Sequence, residues 1–164
     1  MANVTVTVTG LEAIMRKHSK AAVDAAVQHA LESTAQYGAD LVKTRLANHT
    51  VTGFLRSSIR GSMVGKNHGR TYAVMGSGVN YTPFVEHGTG IYGPRGQRIR
   101  PRSAKALAWT PKTVTGRPVK GAGKIVRRSV AGQRPVHMFE RTFTEDRSKL
   151  VNHFRSAFRS RFVV

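Results

Sequence analysis

The chain contains no cysteine, which excludes disulfide frameworks, thiolate metal sites and cysteine nucleophiles. Carboxylates are scarce: eight Asp and Glu stand against 27 Lys and Arg in 164 residues, so a catalytic pocket that gathers titratable groups has little to draw on. No run approaches the ~18 consecutive apolar residues of a membrane span. Met1 to Gly10 has neither the basic start nor the apolar centre of a signal peptide, and the sequence reads as soluble and not exported by that route. Neither G-x-x-x-x-G-K-[ST] nor a strand, G-x-G-x-x-G and helix succession occurs, and zinc-finger spacing and the aromatic RNP signature are missing too. No internal period of about 20 to 50 residues points to a solenoid. The expectation is a protein without enzymatic activity, cofactor or metal.

What the chain has in excess is positive charge, a formal +19. Self-repulsion of that size opposes compaction, whereas a polyanion screens it and releases counterions. The excess is concentrated. Between His87 and Phe139 there is no carboxylate, while Arg95, Arg98, Arg100, Arg102, Lys105, Lys112, Arg117, Lys120, Lys124, Arg127, Arg128 and Arg134 supply twelve cations. Within this set Arg95, Arg98, Arg100, Arg102, Lys105, Arg127 and Arg128 are candidate contacts to DNA or to an acidic partner. With no base-reading motif, such contacts would be sequence-independent and made to phosphate. Tyr92 and Trp109 are weak stacking candidates. Trp109, flanked by Ala106, Leu107 and Ala108, reads more readily as a core or interface anchor.

Val4, Val6 and Val8 alternate with threonines up to Gly10, the pattern of a half-buried strand. From Leu11 to about Asn48 apolar residues recur at steps of three and four with no proline, predicting a helix. A continuous one would span about 57 Å at ~1.5 Å per residue, so either Gly38 breaks it or neighbours cover it. Its alanines give good helix propensity and admit a close neighbour. Thr50 to Gly53 carries turn chemistry; Phe54 to Ser62 and Arg70 to Ser77 read as strands joined by a Gly65–Gly69 loop. Tyr81 to Glu86 reads as a further amphipathic strand, closed by glycines that demand turns. Ala104 to Trp109 and Ile125-Val126 are apolar islands that predict short strands among basic loops. Phe139, Phe143, Leu150, Phe154, Phe158 and Phe162 repeat at helical spacing and predict one C-terminal helix with a buried Phe face. The fold class that follows is α+β: a single domain over residues 1–164, with long N-terminal and C-terminal helices packed on a small antiparallel sheet. A basic, loop-rich insertion covers about 91–134.

Glu12, Asp24, Glu32 and Asp40 lie in the long helix at spacings that favour pairing with Lys and Arg on a solvated face over a catalytic pair. Glu86 and His87 would be the most plausible acid and imidazole, but neighbours on a strand face opposite sides, and no second histidine stands at ligand spacing.

Three segments together resemble the tailed-bacteriophage neck and tail-completion family of the lambda minor tail protein Z kind. They are Thr52-Gly53-Phe54-Leu55-Arg56-Ser57-Ser58-Ile59, Tyr81-Thr82-Pro83-Phe84-Val85-Glu86-His87-Gly88-Thr89 and Arg134-Pro135-Val136-His137-Met138-Phe139. Val136 and His137 depart from the family's usual aromatic and aliphatic pair, and the basic stretch before them is long. The resemblance implies a homo-oligomeric, commonly hexameric, ring in the virion, assembled in the host cytoplasm. Its neighbours would be connector or stopper, tail-terminator and tail-tube proteins, with DNA crossing its channel and no membrane. The motif residues Gly53, Arg56, Glu86, Gly88, Arg134, Pro135 and Phe139, together with Trp109 from its apolar flanks, are candidates for structural or interface roles. Gly53 and Gly88 would permit turns, and Arg56 and Glu86 would form a salt bridge within or between subunits. The competing expectation from charge alone is a sequence-nonspecific nucleic-acid-binding protein.

Overall fold

The computed structural model describes residues 19–47, 53–67, 69–113 and 117–161. The strand expected at Val4 to Val8, the start of the helix expected at Leu11, most of the turn at Thr50 to Gly53, and Phe162 lie outside the described residues. Helices and small antiparallel sheets make an α+β protein, grouped into two compact units. The described part of the first is 19–44, 59–67, 69–77 and 139–161; that of the second is 45–47, 53–58, 78–113 and 117–138.

Helix α1 runs unbroken over Lys20–Leu46. Ser19 opens it: its Oγ accepts from the Ala22 amide at 3.3 Å, satisfying one of the amides a helix start leaves open. Val23, Ala26, Ala30, Ala35, Ala39 and Val42 form the buried stripe of its first-unit part. Gly38 does not break the helix. A Cβ there would come within 2.9 Å of Met75 Sδ and 3.3 Å of Leu150 Cδ2, so the position is kept small by close packing, at some cost in helix propensity.

The first unit's sheet is a hairpin of β1 (Ile59–Asn67) and β2 (Arg70–Ser77), paired antiparallel from Ile59↔Ser77 to Asn67↔Arg70, with a bulge between Ser62 and Val64. The expected Gly65–Gly69 loop is shorter than the sequence suggests. Strand pairing continues to Asn67, leaving a two-residue connection in which Gly69 takes φ +74°. Gly61 lies directly against the α1 backbone at Ala35, and no side chain intervenes. Small residues on both elements let strand and helix approach backbone to backbone.

The expected C-terminal helix is two: α4 (Met138–Glu145) and α5 (Arg147–Arg159), parted at Asp146. Helical hydrogen bonds still cross the break, from Asp146 N to Thr142 O and from Leu150 N to Asp146 O. Asp146 is buried and accepts from Lys149 Nζ at 2.7 Å. The Phe face is buried as expected at Phe139 and Phe154, and Phe154 packs with Ala30 and Leu31 of α1, bordered by Ala73 of β2. His153 adds a polar tie between α5 and α1, stacked on Tyr37 at 4.5 Å and hydrogen-bonded to Ser33 Oγ at 2.9 Å.

The first five residues of the strand expected at Phe54 to Ser62, and the strand expected at Tyr81 to Glu86, are helices, while Ile59 to Ser62 is strand as expected. Phe54–Ser58 is the one-turn helix α2, started by Gly53 at φ +74°, with Ser57 and Ser58 hydroxyls donating to carbonyls three residues back. Thr82–His87 is helix α3, with Pro83 in its first turn, where a fixed φ suits a helix and the missing amide costs nothing.

Gly61 and Gly76 offer a matched test on one hairpin. A Cβ at 61 would strike the Ala35 carbonyl, whereas nothing lies within 4 Å of one at 76. Gly61→Ala should destabilise the protein by about 1–3 kcal/mol, the usual cost of overpacking, and Gly76→Ala should be near neutral, both read by urea denaturation.

Candidate functional site

The second and third motif segments, 44 residues apart in sequence between Thr89 and Gln133, meet in space. Helix α3 stops at Gly88, which takes φ +75°. From there the chain runs antiparallel to the stretch that leads into α4. Thr89 N donates to Gln133 O at 2.9 Å and Ile91 N to Ala131 O at 2.8 Å. In return Gln133 N donates to Thr89 Oγ1 at 2.8 Å. Val136 N and His137 N donate to the last carbonyls of α3, on Val85 and Glu86, at 2.9 and 3.1 Å. Helix-end carbonyls that would need solvent or a cap are thus satisfied by the returning strand.

The approach is so close that side chains are excluded. A Cβ on Gly88 would lie 2.9 Å from Gln133 O and Pro135 Cδ; one on Gly90 would strike Ala131, and one on Gly132 would strike Thr89. All three glycines have positive φ, and His137, at φ 51°, is the one non-glycine among the described residues that does. Spare hydrogen-bonding capacity is converted here into a backbone zipper.

Among the expected site residues, the zipper gathers Glu86, Gly88, Arg134 and Pro135. Glu86 is 6% exposed and engaged, while its neighbour His87 is exposed. They sit in the last turn of a helix and not on a strand, so the opposite-faces argument does not apply; burial separates them instead. No cluster of three metal-ligating side chains occurs among the described residues. Arg134 is exposed, with its guanidinium carbon 5.1 Å from the centre of the Tyr92 ring, a cation–π contact. Gly53 and Arg56 lie at the start and middle of α2, Arg56 exposed. Phe139 is buried in α4 of the first unit.

Beyond the zipper the basic segment is a paired hairpin, not loops with isolated strands. Ile99 and Val130 exchange amide hydrogen bonds at 2.9 and 3.0 Å. Strands β3 (Leu107–Trp109) and β4 (Ile125–Arg127) then pair, from Leu107↔Arg127 to Trp109↔Ile125. Val119 N donates to Pro111 O at 2.9 Å, and Thr113 N to Arg117 O at 2.7 Å. The short strands expected at the two apolar islands are there, as partners of one another.

Arg95, Arg98, Arg100, Arg102, Lys105, Arg127 and Arg128 are all exposed. Arg98 Nε donates to Ser129 Oγ at 2.9 Å, which holds one guanidinium against the opposite strand. None of the twelve cations of this segment forms an ion pair among the described residues. In the first unit, by contrast, Lys43, Lys66, Arg141 and Lys149 each meet a carboxylate.

Trp109 is 41% exposed, which removes the core half of its core-or-interface reading. It has company that composition does not reveal. Phe54, Tyr81, Phe84, Ile91, Tyr92, Ile99, Val119 and Val126 are also large, apolar and exposed, and every one of these belongs to the second unit.

The zipper's rigidity is testable by comparing two positive-φ glycines. Gly132→Ala adds a collision with Thr89 to backbone strain, whereas Gly121→Ala, at φ +80° with open space around it, adds strain alone. Thermal unfolding should show the larger loss for Gly132→Ala, by about 1–3 kcal/mol beyond Gly121→Ala. Equal losses would mean that the zipper yields.

Residues 10–88 match the family model described as "Bacteriophage HK97-gp10, putative tail-component". The matched stretch is just under half of the chain and ends at Gly88, inside the zipper and ahead of the basic hairpin. The comparison with curated proteins and the comparison with solved structures gave no significant match. Over this stretch the chain is similar to a family of tail components of tailed phages.

Proposed function

We propose that the chain is a neck or tail-completion protein of the lambda minor tail protein Z kind, a non-enzymatic subunit of a ring that joins the DNA-filled head connector to the tail. The observation that supports this most is the family match over residues 10–88. It takes in the long α1 helix, the β1–β2 hairpin, the first motif segment and the second as far as Gly88. In this reading the subunits form a homo-oligomer, by resemblance a hexamer, seated between connector or stopper proteins and the tail-terminator and tail-tube proteins. DNA crosses the ring's channel, and assembly takes place in the host cytoplasm.

Physical features of the second unit fit such a role. Nine large apolar side chains are exposed on it, and five of them, Phe54, Tyr81, Phe84, Tyr92 and Trp109, are aromatic, the residue type enriched where subunits meet. Trp109 and Phe54 would be anchors at subunit boundaries. Arg56 and Glu86 form no ion pair with each other among the described residues; a pair made between subunits would set register more than stability. A ring of copies carrying +19 each needs phosphate in its channel or acidic surfaces on adjoining rings. No described helix is long and apolar enough to cross a membrane.

The decisive measurement is the mass of the purified chain by sedimentation or native mass spectrometry, alone and with adjoining tail proteins, together with its presence in finished particles. A closed oligomer that enters particles is expected. A persistent monomer that never enters a particle would overturn the ring reading and leave a free nucleic-acid-binding protein in its place.

A further inference from the structure

We infer that the paired hairpin from Ile99 to Val130 is a nucleic-acid-binding element that grips the phosphodiester backbone without reading sequence. The inference rests on the ring reading only for the origin of the nucleic acid, the DNA threading the particle. The binding itself follows from charge and shape.

The charge is partitioned by the fold. The second unit holds 14 of the 27 Lys and Arg side chains and a single carboxylate, Glu86, which is buried. On the hairpin Arg98, Arg100, Lys105, Lys124, Arg127 and Arg128 are exposed, and none meets a carboxylate among the described residues. These cations come from both arms of the hairpin, Arg127 from within β4 and the others from the segments that flank the two strands. Their counter-ions in the free protein are solvent ions, which a polyphosphate would displace with a gain in entropy.

Two other occupants fit less well. A second copy of the chain offers no acidic complement, because the first unit is itself in excess of cations, 13 against seven carboxylates. An acidic protein face would satisfy the charge, but lysine is depleted in protein–protein interfaces, whereas protein–DNA interfaces are far more positive. This hairpin carries Lys105, Lys112, Lys120 and Lys124. Its form also suits a nucleic acid: a two-stranded antiparallel ribbon is one of the few elements that the major groove of duplex DNA admits. Exposed Trp109 adds a surface on which an unpaired base would stack.

The test measures binding to a duplex and a single strand of about 30 nucleotides and mixed sequence over a range of salt. The variant Arg98→Ala/Arg100→Ala/Arg127→Ala/Arg128→Ala should lower the slope of log K against log salt for the duplex by about 3–4, at ~0.9 for each phosphate that is no longer neutralised. A control that removes equal charge from the first unit, Arg60→Ala/Arg147→Ala/Arg155→Ala/Arg159→Ala, should leave it nearly unchanged. Circular dichroism verifies that both variants are folded. Preference for the duplex with Trp109→Ala neutral supports backbone binding in double-stranded DNA, and preference for the single strand with weaker binding by Trp109→Ala supports it in unpaired DNA. Equal slopes for the two quadruple variants would overturn the inference. So would tight, hairpin-dependent binding of polyglutamate with little affinity for either DNA, which would assign the site to an acidic protein. The ring reading is judged separately, by the mass and particle incorporation of the unsubstituted chain.

Discussion

The backbone zipper between residues 85–91 and 131–137 is the constraint on which the second unit depends. It brings two distant segments of the chain together with main-chain hydrogen bonds, at a spacing that three glycines alone allow. Backbone pairing carries no charge and needs no particular side chains on its outer face. It therefore holds against the repulsion of the cations beyond it, where an ion-paired clasp would weaken with salt. Burial of Glu86 and Thr82 beside it keeps the end of α3 fixed, so the hairpin springs from a defined base.

Much of the first unit is legible from spacing alone. The three- and four-residue steps of α1, the Phe face of the C-terminal helices and the strand at Arg70 to Ser77 stand where periodicity puts them, because each buries one face against a neighbour. Expectation fails where local chemistry overrides composition. Tyr81, Thr82, Phe84 and Val85 favour a strand by propensity, yet Pro83 in a first turn and Gly88 at the end make a short helix. That pairing of punctuation residues is the available signal. Phe54 to Ser58 misleads similarly: Gly53 sets a turn, and serine hydroxyls close it by bonding back to the main chain.

For the candidate site, the motif residues are visible in the sequence but their meeting is not. Glu86 to Thr89 and Gln133 to His137 are linked mostly by hydrogen bonds between backbone groups, which leave no trace in residue type beyond the glycines and Thr89, whose hydroxyl accepts from Gln133 N. The basic segment's charge can be counted from the sequence; the pairing of its two arms, by a three-residue sheet and isolated bridges, cannot, since its strands are so short. Exposure of the large apolar residues is likewise hidden. Periodicity identifies which residues share a face, and only the packing tells which faces are covered.

Because Ile91 and Ala131 are bonded directly to one another, everything between them is a closed detour from the rest of the chain. Closing such a detour costs an entropy that grows only logarithmically with its length. Pairs of residues can therefore be added to or taken from its far end with little effect on folding elsewhere. The length and charge of the ribbon can thus be varied while α1 to α3 keep their structure, and the stretch similar to the tail-component family stops at Gly88, before this detour begins.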